Sequence, residues 1–75
     1  MDKAKQQFLE DHKDDLQKAI WGFELEIRYL ERQKLSPAQA DLIKIQESIS
    51  AIKGKTKEFE ARIELVDTIL SEGNN

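Results

Sequence analysis

His12, the carboxylates and a short lysine run are the residues whose types could do chemistry. His12 is the only histidine, set in the charged segment Glu10-Asp11-His12-Lys13-Asp14-Asp15. A helical di-iron centre needs Glu-x-x-His pairs projecting from facing helices, and the sequence has none. Nucleophilic activation of Ser36, Ser48, Ser50 or Ser71 needs an adjacent base, and one histidine in a charged segment does not supply it. Glu24, Glu26 and Glu31 fall on polar helix faces, and pairs such as Glu24–Arg28 and Glu58–Arg62 account for them at helical spacing. Nothing in the pattern would dry out a carboxylate pair and shift its protonation. Lys53-Gly54-Lys55-Thr56-Lys57 contains the letters of a phosphate-binding loop. Such a loop needs an earlier glycine and a preceding strand to aim backbone N–H groups at phosphates, and both are missing. With no cysteine, thiolate metal sites and disulfides are excluded. We therefore expect no enzyme, no cofactor, no metal and no small-molecule substrate.

The elements that carry these residues are two long helices. The chain has 75 residues, 39% hydrophobic and 36% charged, with few glycines and one proline. That mixture suits amphipathic helices rather than a compact β domain or a disordered tail. The expected unit is one domain over 1–75: helix 1 over about 3–34, a turn at 35–36, and helix 2 over about 37–72. Ser36 is a good N-cap, Pro37 suits the first helical position, and Gln39 completes a capping box. Asp11 or Asp14 could cap a fresh start, which leaves open a break near 11–15, with residues 1–12 as a separate segment.

Helix 2 carries an unbroken heptad seam. Leu42, Ile49, Thr56, Ile63 and Leu70 take the a positions, and Ile45, Ile52, Phe59 and Val66 take d. Helix 1 carries a shorter one, with Ile20 and Ile27 at a and Leu9, Leu16, Phe23 and Leu30 at d. A short link between the helices implies antiparallel neighbours. The expected fold class is therefore all-α, an antiparallel coiled-coil hairpin, assembling into a dimeric four-helix bundle because a core this small is marginal alone.

Folding the seams together around a tight turn pairs Leu30 with Leu42, Ile27 with Ile45, Phe23 with Ile49, Ile20 with Ile52, and Leu16 with Thr56. Beyond Leu16 this register fails. Lys13 falls opposite Phe59 and Gln6 opposite Val66, and only Leu9 with Ile63 is apolar on both sides. Glu10 then lies near Glu60 and Asp67, and Lys5 and His12 near Arg62 and Lys55. The distal half of helix 2 is thus expected to need another chain. One candidate is a parallel pairing of two helix 2 seams, where Lys55 would meet Glu60 and Arg62 would meet Asp67 of the second copy.

A second apolar stripe, Trp21, Leu25 and Tyr29, runs at helical spacing along the outside of helix 1, flanked by Arg28 and Arg32. Large exposed side chains in a row, with Trp, Tyr and Arg among them, have interface character. Gly22 beside them either permits close helix approach or is merely tolerated. Leu65 and Ile69 extend the apolar surface of helix 2, with Ile43 alone. With Phe59, Val66 and Leu70 they make either a docking end or a surface for the chain's own Phe8 and Leu9. The expected partner interface is therefore Trp21, Leu25, Arg28, Tyr29, Arg32, Phe59, Leu65, Val66, Ile69 and Leu70.

The expected partners are a second copy of the chain and another protein, in the manner of an adaptor, small chaperone, inhibitor or assembly factor. The alternative is a nucleic-acid-binding hairpin using Lys44, Lys53, Lys55 and Lys57. A net charge of −3 gives that reading no global attraction to phosphates, nor one to anionic lipid. No apolar run approaches membrane-spanning length, and no signal-peptide core follows the N-terminus, so the expected location is cytoplasmic. In length and helix–turn–helix outline the chain resembles two kinds of small hairpin protein. One is the plasmid copy-control hairpins, which dimerise into four-helix bundles and bind RNA loops. The other is the small hairpin chaperones of type III secretion needles. The likeness is one of outline and assigns no site residues.

Overall fold

A computed structural model describes residues 2–35 and 41–73. Two helices, α1 (Lys3–Lys34) and α2 (Leu42–Gly73), pack side by side in a rod of 56 × 15 × 11 Å. Each helix is 32 residues long, which a rise of ~1.5 Å per residue makes about 48 Å, nearly the length of the rod.

α1 starts at Asp2, whose carboxylate accepts from the Ala4 N–H at 3.0 Å and satisfies one of the helix's orphan donors. It then runs without a break through 11–15 to Lys34. The acidic residues there are absorbed by contacts along the helix. Gln7 donates to Asp11 at 2.9 Å, and Lys18 pairs with Asp14 at 3.2 Å. The N-terminal segment is therefore the first part of α1, not a separate piece. Arg32 and Lys34 in the last turn suit the negative end of the helix dipole.

α2 has a different start from the one expected. Asp41 accepts from the Lys44 N–H at 3.0 Å through its side chain, and from the Ile45 N–H at 3.2 Å through its carbonyl. It acts as the N-cap of a helix that begins at Leu42. The Ser36, Pro37 and Gln39 capping motif lies outside the described residues.

The register of the hairpin differs from the expectation, and this is the main correction. Lys34 donates to Gln46 at 2.6 Å, and Lys13 pairs with Asp67 at 2.6 Å. These two contacts lie equally far apart on each helix, so they define one constant antiparallel register. Heptad steps from them set Leu30 by Ile49, Ile27 by Ile52, Phe23 by Thr56, Ile20 by Phe59, Leu16 by Ile63, Lys13 by Val66 and Leu9 by Leu70. Relative to a tight turn, α2 has slipped by one heptad. Burial follows this pattern along both helices, with Leu16, Ile20, Ile45, Ile49, Ile52 and Val66 buried and the other seam residues named in these pairs half-buried.

The physical gain lies at the distal end. The tight-turn register left Phe59 and Val66 facing polar groups. Here Val66 is only 7% exposed, and Phe59 meets the Phe23 ring edge-on at 5.2 Å. Each large apolar group so covered is worth roughly 1.5–3 kcal/mol when fully buried. The cost is Leu42, which is left exposed. Lys13 is tolerated beside Val66 because a lysine stem can lie on apolar surface while its ammonium reaches out, here to Asp67. Thr56, the one polar a residue of α2, donates its hydroxyl to the Ile52 carbonyl at 3.0 Å and leaves no unsatisfied group in the seam.

Candidate interaction surface

The closed seam separates the expected interface residues into two sets. Phe59, Val66 and Leu70 belong to the chain's own core, with Val66 buried and the other two half-buried against α1. They are withdrawn as a free docking surface, and the reading that they pack on the chain's own N-terminal segment holds for Leu9. The same fact removes the parallel pairing of two α2 seams, since α1 already occupies that face. The charge clashes expected at this end are replaced as well. Lys13 takes Asp67, and the Arg62 guanidinium sits 5.0 Å from the centre of the Phe59 ring.

The other set remains outside. Trp21 is 57% exposed, Leu25 50% and Tyr29 60%, on the side of α1 away from the seam. Steps of four residues keep them in one slightly inclined row. The contrast with Ile20 is local. Ile20 is buried in the seam, and one residue later, about 100° around the helix, Trp21 faces water. Arg28 and Arg32 are exposed beside the row and make no ion pair among the described residues. A shallow depression of roughly 280 Å³ between Trp21, Glu24, Leu25 and Arg28 runs along this face. It is open rather than an enclosed ligand cavity. Gly22 lies in the same stretch, and a Cβ there would meet nothing within 4 Å, so packing inside the chain does not require a glycine.

On α2, Leu65 and Ile69 stay exposed beyond the seam, and Ile43 is exposed near the start of the helix. Phe8 is 66% exposed and stacks on His12 with ring centres 6.0 Å apart. The pair is a surface feature beyond the apolar stripes read from the sequence. Its i, i+4 spacing was the available signal.

The lysines of the alternative reading do not form one patch. Lys53 and Lys57 share a flank of α2, because four residues nearly complete a turn. Lys55 points about 200° from Lys53, and Lys44 lies on the Lys55 side, where it pairs with Asp41 at 3.6 Å. Among the described residues no group of acidic, histidine or cysteine side chains could hold a metal ion. No helix among them is long and apolar enough to cross a membrane. The chain matches no protein-family model, no curated protein and no solved structure.

Proposed function

We propose that this chain is a non-enzymatic protein-interaction module that presents the outer face of α1, Trp21, Leu25, Tyr29 and the flanking Arg28 and Arg32, to a partner helix or apolar surface. The observation that carries this is the contrast across α1. Its seam face is closed by α2, while a row of large side chains on its other face stays half or more exposed. Trp, Tyr and Arg are the residues most enriched at the centres of protein interfaces, and desolvating such a row is where binding free energy concentrates. Leu65 and Ile69 offer a smaller second contact on α2.

An adaptor, small chaperone, inhibitor or assembly factor would act in this way, in the cytoplasm and without a cofactor. The test is affinity capture with wild type against the Trp21→Ala/Tyr29→Ala double variant. Wild type should retain a partner that the double variant loses, with helical circular dichroism unchanged. Equal capture by both proteins, or no capture by a wild type that is itself monomeric, sinks the proposal.

A further inference from the structure

The partner chemistry can be taken one step further, on the basis of the interaction-module reading just given. We infer that the outer face of α1 pairs with the same face of a second copy, antiparallel, about a two-fold axis through Leu25.

A lone hairpin exposes more surface than a compact chain of its mass. The chain exposes 5901 Å² for 8.7 kDa, whereas a compact monomer of that mass exposes roughly 4,700 Å². The excess reflects the rod shape of a lone hairpin, and a second copy laid along the rod is a way to cover it.

The outer face is also complementary to itself. A two-fold interface must match a surface to itself, residue i meeting j while j meets i. With Leu25 on the axis, Leu25 meets Leu25. Tyr29 of one copy then falls opposite Gly22 of the other, and Trp21 opposite Arg28. The bare Gly22 backbone gives the Tyr29 ring room for close approach, a role nothing within the hairpin assigns to this glycine. Arg28 lies over the indole of the second copy, the favoured partner of a guanidinium, with Glu24 of that copy in reach. At the ends Lys18 falls opposite Arg32, and Glu31 of the second copy together with Asp14, already paired to Lys18 at 3.2 Å, offsets that repulsion. The product is a four-helix assembly with both α1 helices in the middle and both α2 helices outside.

The experiment uses the full-length purified chain, which contains no cysteine. Leu25→Cys should oxidise rapidly to a disulfide dimer, because its two copies lie on the axis. Glu47→Cys, on the exposed surface of α2, should remain largely monomeric under the same conditions. By sedimentation equilibrium, wild type should be a dimer in the micromolar range. Gly22→Leu should weaken association roughly thirtyfold or more, the scale of an interface hot spot, while retaining full helical circular dichroism. Gly54→Leu, at the other glycine whose Cβ would meet nothing, should leave association unchanged. A monomeric wild type, equal oxidation of the two cysteine variants, or equal association of the two glycine variants overturns the self-pairing. If a monomeric wild type still captures another protein through Trp21 and Tyr29, only the self-pairing falls. If it captures none, both readings fall.

Discussion

Both faces of α1 carry large apolar side chains, six along the seam and three in the outer row, and they meet opposite fates. Leu16 and Ile20 disappear into the seam, while Trp21, Leu25 and Tyr29 remain in water. The difference is not one of hydrophobicity, because tryptophan buries more area than isoleucine. It is one of supply. A two-helix hairpin has one partner helix to offer each helix, so only one stripe per helix can be covered from within the chain. Whatever lies on the far side waits for another molecule or stays exposed.

Removing a seam residue should have the largest effect. Ile49 is 2% exposed and lies beside Leu30 in the observed register. Ile49→Ala should cost about 2–5 kcal/mol, the range for truncating a buried isoleucine. A unit with so small a core has little stability to lose. The variant should lose most of its helical circular dichroism at temperatures where wild type is folded. Truncating the outer face should instead leave the hairpin folded, because Trp21 and Tyr29 lie outside the seam that holds the two helices together. If the outer double variant unfolded as readily as Ile49→Ala, the distinction between the faces would be false.

A smaller effect comes from the glycines. Gly54 sits in the interior of α2 with open space where a Cβ would project. Gly54→Ala should stabilise the chain by about 1 kcal/mol, read as a higher urea midpoint at unchanged slope. A fall in the midpoint would mean that another chain approaches closely there.

Much of this architecture was legible in the sequence, and the part that was not has a physical cause. Heptad spacing identified the seams, and i, i+4 spacing identified the outer row as a surface apart from them. The register escaped because heptads are degenerate. A slip by seven residues returns apolar groups to apolar groups, so local matching near the turn cannot decide between registers. Two local features of the sequence also favour the tight turn. The Ser36-Pro37 motif suggested an early helix start, whereas Asp41 caps the described helix. Lys13 at an a position looks like a break in the seam, yet a lysine stem can cover Val66 while its charge reaches Asp67. Weighing the distal residues Phe59, Val66 and Leu70 together with the turn would have favoured the slipped register.

The smallest effect tests that register directly. The Lys13–Asp67 pair is half exposed, so its coupling should be modest, about 0.2–1 kcal/mol, and should shrink as salt is added. A double-mutant cycle with Lys13→Ala and Asp67→Ala isolates this coupling from the packing lost when the lysine stem is removed. In the tight-turn register Lys13 would instead stand beside Glu60, next to Phe59. A parallel cycle with Glu60→Ala should therefore show no coupling to Lys13. Coupling to Glu60 and none to Asp67 would move α2 back by one heptad. Val66 would then face Gln6 again, and the division between a closed seam and an open outer face would fail at the distal end of the hairpin.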